Sequence, residues 1–142
     1  MKIYTELITT SCRVLLIDDD RDIAALISAH LTDPRITLKI ASGGREGINT
    51  FKDGSIDLVL MDIQMPETDG YEATRAIRFW ESRNNLSPTP IAALTSFDST
   101  DALSEIFNSG CTTYLHKPIS RNVLLQTVSQ YFRASQVAVS ST

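Results

Sequence analysis

Short apolar runs, separated by stretches with helical spacing, recur along the chain and predict an alternation of strands and helices. Each run has four or five residues, is rich in Val, Ile and Leu, and is typical of a buried strand. The runs are nearly continuous rather than alternating, which is typical of strands that are covered on both faces. They are Arg13–Ile17, Thr37–Ala41, Asp57–Met61, Ile91–Leu94 and Thr112–Leu115.

The stretches between and after these runs carry apolar residues at the 3.6-residue period of an amphipathic helix. A short helix is also predicted over Gly44–Phe51. One stripe is less regular than the others. The four stripes are Ile23, Leu26, Ile27 and Leu31; Tyr71, Thr74, Ile77 and Arg78; Leu103, Ile106 and Phe107; and Val123, Leu124, Val128 and Tyr131.

Capping residues agree with these helices. Asp69, with Glu72 three residues later, resembles a capping box, and Ser99 and Ser120 are suitable N-caps. Gly110 stands where a helix C-terminal glycine is expected. Five strand–helix units in a row predict an α/β fold, a parallel sheet with helices on both faces.

The composition is typical of one globular domain and argues against nucleic-acid and membrane partners. The chain has 142 residues, 42% of them apolar and 21% charged, which is ordinary for a folded domain. A net charge of −4 and a pI of about 5.1 argue against direct nucleic-acid binding, which needs a basic surface. No apolar run approaches the ~20 residues of a membrane helix, so we expect no membrane partner.

The cysteines and the N-terminus favour a cytoplasmic location. Cys12 and Cys111 stand alone, outside any pattern typical of a zinc site. Two isolated thiols fit a reducing compartment. The first eleven residues lack the apolar core of a signal peptide.

Polar residues that could carry chemistry follow four of the predicted strands. Asp18, Asp19 and Asp20 follow the first, and Asp62 follows the third. Thr95 and Lys117 follow the fourth and fifth. In open α/β sheets, ligands bind beyond the carboxyl ends of the strands, so we expect these groups to converge on one edge.

Clustered carboxylates repel one another and raise each other's pKa, so a cation is needed to keep them ionised. Mg²⁺ suits a site with few carboxylates, bound waters and a phosphate oxygen. A carboxylate can also act as a nucleophile toward phosphorus and form an aspartyl phosphate. The ammonium and hydroxyl would then stabilise the transferred oxygens.

Four motifs in this order resemble those of bacterial response-regulator receiver domains. They are VLLIDDD, DLVLMDIQMPETDGYEATRAIR, IAALTS and YLHKPI, and the similarity covers about Arg13 to Phe132. The second motif is most similar to receivers attached to hybrid histidine kinases. The resemblance implies a flavodoxin-like, doubly wound (βα)5 fold whose parallel strands have the order 2-1-3-4-5.

The resemblance also implies a role for each site residue. Asp62 matches the phosphoacceptor, Lys117 the phosphate-binding lysine, Thr95 the switch hydroxyl and Tyr114 the switch aromatic. The metal ligands for Mg²⁺ or Mn²⁺ would be Asp18, Asp19, Asp62 and the backbone carbonyl of Gln64. The Lys117–Pro118 bond would be cis. Asp20 is expected to cap the first helix.

The implied partners are a histidine kinase or a histidine phosphotransfer protein, with a possible downstream protein target. Phosphorylation would change the surface formed by helix 4, strand 5 and helix 5, and the domain would be a monomer or a weak dimer. It would be a signalling receiver and not an enzyme, although it would catalyse its own phosphorylation and dephosphorylation.

Two other functions are weighed beside this one. A docking module independent of phosphorylation usually lacks one of the site residues, and none is missing here. A phosphatase with an aspartyl-phosphate intermediate typically has a second Asp two residues after the nucleophile, where this chain has Gln64. We expect residues 1–11 to be a flexible extension, residues 12–133 the receiver domain, and residues 134–142 a flexible tail.

Overall fold

A computed structural model describes the backbone of residues 3–141 and the side chains of residues 10–134. Six strands and five helices alternate along this part of the chain. In chain order they are β1 (Ile3–Ile17), α1 (Arg21–His30), β2 (Ile36–Ala41), α2 (Gly44–Asp53), β3 (Leu58–Asp62), α3 (Gly70–Arg83), β4 (Ile91–Thr95), α4 (Thr100–Ser109), β5 (Thr113–His116), α5 (Arg121–Ser129) and β6 (Arg133–Ser141).

The predicted strand order is confirmed. Five strands form a parallel sheet in the order β2-β1-β3-β4-β5. Strand β1 lies between β2 and β3, with Leu16 beside both Ile40 and Leu60. Strands β1 and β3 therefore end side by side, which is what a shared site at their carboxyl ends requires.

The helices cover both faces of the sheet, and each face has its own apolar core. Alternate residues of β1 and β3 point to opposite faces, as strand geometry requires. Leu15 and Met61 pack on the side of α2, α3 and α4, whereas Leu16 and Leu60 pack on the side of α1 and α5. All four side chains are fully buried. These two cores fix the strands on which the site is built.

The predicted caps are found at the helix ends. The side chain of Asp20 accepts from the backbone N–H groups of α1, and Asp69 caps α3 through the Glu72 N–H at 2.9 Å. Ser99 and Ser120 cap α4 and α5 in the same way. Gly110 follows α4 with a φ of 111°, the left-handed conformation that favours glycine.

Strand β6 and the first half of β1 were not predicted. Residues Ile3 to Ser11 of β1 pair antiparallel with Ser141 to Arg133 of β6. The N-terminal segment is rich in Ile and Thr, which favour strands, but its pairing depends on a segment 122 or more residues away. Residues 1, 2 and 142, the ends of the two segments predicted to be flexible, lie outside the described residues, and the flexibility of these segments stays a prediction.

No helix in the described part of the chain is both long enough and apolar enough to cross a membrane.

Candidate functional site

The carboxyl ends of β1, β3, β4 and β5 bring the candidate residues to one edge of the sheet. Asp18 follows β1, and Asp62 and Thr95 are the last residues of β3 and β4. The Asp18 N–H donates to the Ala41 carbonyl at 3.0 Å, which holds the chain in line with β2 as it leaves the sheet. Lys117 follows β5, and its N–H donates to the Thr95 carbonyl at 2.8 Å.

Three carboxylates meet at this edge. One oxygen from each of Asp18, Asp19 and Asp62 lies within 4.8 Å of the other two. Asp18 and Asp62 are buried, with 2% and 3% of their surface exposed, whereas Asp19 is exposed. The site is therefore a concentration of negative charge that is closed on one side and open to solvent on the other.

Asp18 carries most of the electrostatic cost of this arrangement. Its Oδ1 accepts from the Asp20 N–H at 2.9 Å, but its buried Oδ2 has no hydrogen-bond partner. The pKa of Asp18 is raised from 3.8 to about 7, chiefly by burial and also by the charge of Asp62, while the Asp20 N–H and Lys117 oppose the rise. The Oδ2 atom of Asp18 is therefore a buried carboxylate oxygen without a hydrogen bond.

This donor set fits a hard divalent cation. Mg²⁺ is bound in proteins by one or two carboxylates together with waters and phosphate oxygens, and it prefers oxygen ligands. The unpartnered Asp18 Oδ2 lies in the acidic cluster, and the exposed Asp19 leaves room for water on the open side. Beyond Asp19 a cleft of about 630 Å³ runs between the start of α2 and the loop after β3.

The ammonium of Lys117 contacts Asp62 directly. Its Nζ donates to Asp62 Oδ1 at 3.0 Å, and the Gln64 N–H donates to the same oxygen at 3.2 Å. The ion pair is mostly buried, with 21% of the lysine side chain and 4% of the aspartate side chain exposed. The Lys117–Pro118 bond is cis. The side chain of Gln64 is exposed, so its part in the site would come from its backbone.

Gly70, the first residue of α3, holds the backbone at Asp62 by close approach. Its N–H donates to the Ile63 carbonyl at 3.1 Å. A Cβ at position 70 would lie 2.2 Å from the Asp62 carbonyl oxygen and 2.7 Å from the Ile63 Cα. Only glycine lets α3 start this close to the end of β3.

The hydroxyl of Thr95 is engaged by the loop that follows it. Its Oγ1 donates to the Phe97 carbonyl at 3.2 Å and accepts from the Phe97 N–H at 3.0 Å. Tyr114 on β5 is half-buried, and its ring meets that of Phe107 on α4 edge-on, with centroids 6.3 Å apart. Thr95 and Tyr114 are thus near the same helix, one before its start and one beside its last turns.

Reasoning from the sequence missed three sets of contacts, two at this site and one elsewhere in the fold. The Thr95–Phe97 hydrogen bonds and the close approach of Gly70 depend on the backbone path, which no spacing rule gives. The third is a buried network around Arg78 and Glu81 at the opposite end of the sheet. Its signal was present in the sequence, because a charged residue at position 78 stands inside an apolar stripe.

Comparisons with known proteins identify the family of this chain. The family model described as "Response regulator receiver domain" matches residues 14–129. The sensor protein GacS of Pseudomonas syringae pv. syringae is 40% identical over 119 residues, which are 84% of this chain and 13% of that protein. The chain therefore spans about an eighth of the length of this relative.

Two solved structures give the same result. The receiver domain of Ssk1 from Saccharomyces cerevisiae, crystallised with the histidine phosphotransfer protein Ypd1, is 30% identical, with a TM-score of 0.81 and coverage of 86% of this chain and 89% of that one. The receiver domain of the histidine kinase CKI1 from Arabidopsis thaliana, complexed with Mg²⁺, is 28% identical, with a TM-score of 0.74 and coverage of 84% and 90%. The chain belongs to the response-regulator receiver domain family of two-component signalling proteins.

Proposed function

We propose that this domain accepts a phosphoryl group on Asp62 from a phosphohistidine and uses Mg²⁺, or Mn²⁺, in doing so. One observation carries the proposal. A buried carboxylate lies within hydrogen-bonding distance of a lysine ammonium and within 4.8 Å of two further carboxylates. A nucleophile, a group that neutralises phosphoryl oxygens and a set of cation ligands are then in one place.

The transfer follows from the positions of these groups. A carboxylate oxygen of Asp62 attacks phosphorus and the new P–O bond forms. The P–N bond to the donor imidazole breaks, its electron pair stays on the imidazole nitrogen, and that nitrogen takes a proton from solvent. Lys117 stabilises the phosphoryl oxygens by its positive charge. The Thr95 hydroxyl donates a hydrogen bond to one of these oxygens once its hydrogen bonds to Phe97 are broken. The same groups later assist attack by water on the aspartyl phosphate, which makes the domain a signalling receiver with self-catalysed turnover.

The cation would be held by Asp18, Asp19, Asp62 and the backbone carbonyl of Gln64. When bound, Mg²⁺ would offset the charge of the carboxylates and of the phosphoryl oxygens. The unpartnered Asp18 Oδ2 supports this assignment, since a cation ligand is the role that would satisfy it. The CKI1 receiver domain complexed with Mg²⁺ supports it by similarity.

The phosphoryl donor would be a histidine kinase or a histidine phosphotransfer protein. The related Ssk1 receiver domain forms a crystal with the phosphotransfer protein Ypd1, and the relative GacS is a sensor protein. A downstream protein target, a cytoplasmic location, and a monomeric or weakly dimeric state remain parts of this proposal, as do the absence of nucleic-acid and membrane partners.

Phosphorylation would be read out through α4, β5 and α5. Thr95 would turn from Phe97 toward the phosphoryl group, and Tyr114 would turn inward behind it. The edge-on contact between Tyr114 and Phe107 links that rotation to α4. The change is a shift between two states of the domain, biased by the phosphoryl group.

Incubation with acetyl phosphate and Mg²⁺ tests the proposal by mass spectrometry of the intact protein. We expect a gain of one phosphoryl group that disappears on addition of EDTA and in Asp62→Asn. Asp53→Asn, which changes an exposed aspartate on α2, is the matched control and should keep the gain. No gain in the wild type, or an equal gain in Asp62→Asn, would refute the proposal.

A further inference from the structure

Helix α4 is held very differently at its two ends. Its first residues, Thr100 and Asp101, are exposed, as is the loop Ser96–Ser99 before it. Its buried residues, Ile106 and Ser109, both lie in the last turns of the helix. In the first turn Leu103 is half-buried against the core, whereas the buried side chains of α4 lie in its last turns.

Arg78 of α3 stabilises the C-terminal end of α4 with several hydrogen bonds. Its Nε donates to the Gly110 carbonyl at 2.9 Å, just after α4. Its Nη1 donates to the Thr89 carbonyl at 2.8 Å, before β4, and its Nη2 to the Thr112 hydroxyl at 3.4 Å, before β5. One side chain thus ties α3 to the chain segments that lead into β4 and out of α4.

Glu81 completes the network and keeps the arginine in place. Its Oε1 accepts from Arg78 Nη1 at 2.8 Å, and its Oε2 accepts from the Thr89 N–H at 2.7 Å. The Glu81 side chain is 3% exposed and that of Arg78 20% exposed. A guanidinium has five donors in a fixed planar arrangement, so it can hold several carbonyls at once, which an ammonium cannot.

The glycine after α4 is fitted to this arginine. Gly110 has a φ of 111°, and a Cβ there would lie 2.9 Å from Arg78 Cγ. The Thr112 hydroxyl also accepts from the Ile91 N–H at 3.0 Å, which joins the start of β5 to the start of β4. We name the group of Arg78, Glu81, Thr89, Gly110 and Thr112 the α4 anchor.

We propose that the α4 anchor is a hinge, so that α4 moves as a lever about its C-terminal end when the loop after Thr95 changes conformation. The helix has ten residues, about 15 Å of rigid lever. The only hydrogen bonds that the Thr95 hydroxyl makes are to Phe97 within the described residues, and Phe97 leads directly into α4. Release of that hydroxyl displaces the N-terminal end, and the anchored end stays fixed.

The part of this inference that concerns the resting domain is independent of phosphorylation. The part that concerns what moves the lever rests on the proposed function. The two parts need separate measurements, so that failure of one is not mistaken for failure of the other.

The first measurement is residue-level amide exchange by NMR on the resting domain. Arg78→Lys keeps a cation beside Glu81 but loses the simultaneous contacts to Gly110, Thr89 and Thr112. We expect exchange of the Gly110, Cys111 and Thr112 amides to quicken by about tenfold, with the sheet amides of β1 and β3 unchanged. Arg75→Lys, one turn earlier on the same helix and exposed, is the control and should change nothing.

Thr112→Val is a second variant that keeps both charged residues. It should quicken exchange at Ile91 and Thr112 in the same local way. If neither variant quickens exchange near Gly110, the anchor does not hold this end and the proposal is wrong. If both quicken exchange equally over the whole chain, the network is a general stabiliser and the hinge is likewise refuted.

The second measurement uses beryllofluoride, a mimic of the phosphoryl group, together with Mg²⁺. Cys12 and Cys111 are buried, so spin labels can be placed on exposed cysteines introduced at Asp53 and either Thr100 or Asn108. We expect beryllofluoride to change the distance from position 53 to position 100 and to leave that from 53 to 108 unchanged. In Arg78→Lys both distances should change.

Equal changes at both positions in the wild type, or no change at either with beryllofluoride bound, would overturn the lever. Binding itself is followed by ¹⁹F NMR. A lack of binding would refute the proposed function, while the exchange experiment would still decide whether the anchor fixes the end of α4.

Discussion

Replacing Asp18 by asparagine should stabilise the resting domain at alkaline pH, although it removes a proposed metal ligand. The pKa of Asp18 is raised from 3.8 to about 7, chiefly by burial. The folded protein therefore binds this proton more tightly than the unfolded chain does. Protonation favours the fold below about pH 4, and this advantage is lost as the pH rises from about 4 to about 7.

The magnitude follows from the same two values. Each pKa unit corresponds to about 1.4 kcal/mol, so the rise from 3.8 to about 7 is worth roughly 4 kcal/mol. Asparagine has the shape of aspartate, keeps an oxygen for the Asp20 N–H, and carries no charge to desolvate. We expect Asp18→Asn to raise the free energy of unfolding by about 2 to 4 kcal/mol at about pH 8 in EDTA, and by much less near pH 4.

Urea unfolding followed by the fluorescence of Trp80, the single tryptophan of the chain, measures this difference. Asp22→Asn, an exposed change in the first turn of α1, is the control and should stay within about 0.5 kcal/mol at every pH. Saturating MgCl₂ should raise the stability of the wild type, as ligands of the folded state do, and raise that of Asp18→Asn far less. A variant that is less stable than wild type at alkaline pH, or a difference that does not vary with pH, would refute the reasoning.

Three further predictions follow from single contacts. Gly70→Ala should destabilise the fold by roughly 3 kcal/mol or more in urea unfolding, because the new Cβ would meet the Asp62 carbonyl at 2.2 Å. Gly54→Ala should be nearly neutral, because its Cβ would meet the flexible end of Lys39 at 3.2 Å and the Thr50 carbonyl at an ordinary 3.9 Å. Lys117→Met should abolish the mass gain with acetyl phosphate. It should also tighten Mg²⁺ binding, measured by calorimetry, by about tenfold, because a competing cation beside Asp62 is removed. Weaker Mg²⁺ binding would contradict this expectation. Cys12 is fully buried, and its pKa is raised from 9.0 to about 11 by burial and by the charge of Asp57. Iodoacetamide at about pH 8 should therefore label Cys12 only after unfolding. Labelling of the folded protein would contradict this burial of the thiol.

The sequence predicted the strands and the convergence of the site from local signals, whereas the strand order was implied only by the resemblance to receiver domains. A buried strand is an apolar run, and its carboxyl end is the residue where the run stops. Asp18, Asp62 and Thr95 could therefore be placed at one edge once the parallel order was inferred. The helix caps at Asp69, Ser99 and Ser120 were equally local, since each side chain bonds an N–H three residues later.

Other features depend on contacts between distant segments and could not be predicted. The antiparallel pairing of β1 with β6 joins the two ends of the chain. The unpartnered Oδ2 of Asp18 depends on which neighbours surround a buried side chain. The contacts of Arg78 with Thr89, Gly110 and Thr112 reach residues 11 to 34 positions away. Its place in a helical stripe therefore did not indicate the partners that make burial of its charge tolerable.

Buried charges are unpaired at one end of the parallel sheet and paired at the other. This contrast explains which part of the domain can change its conformation. At the end with Asp18 and Asp62, like charges are buried together and one oxygen has no partner, so the resting structure is stabilised by anything that adds positive charge or removes negative charge there. At the other end, both oxygens of Glu81 are paired. Arg78 donates to Glu81 and to the loop residues Thr89, Gly110 and Thr112. A buried charge in such a network is costly to disturb, because breaking one contact leaves the other partner unpaired. A ligand at the acidic end can therefore favour a rearranged state only where few contacts resist the change. Within α4 those are the exposed first residues, Thr100 and Asp101, which follow the loop after Thr95.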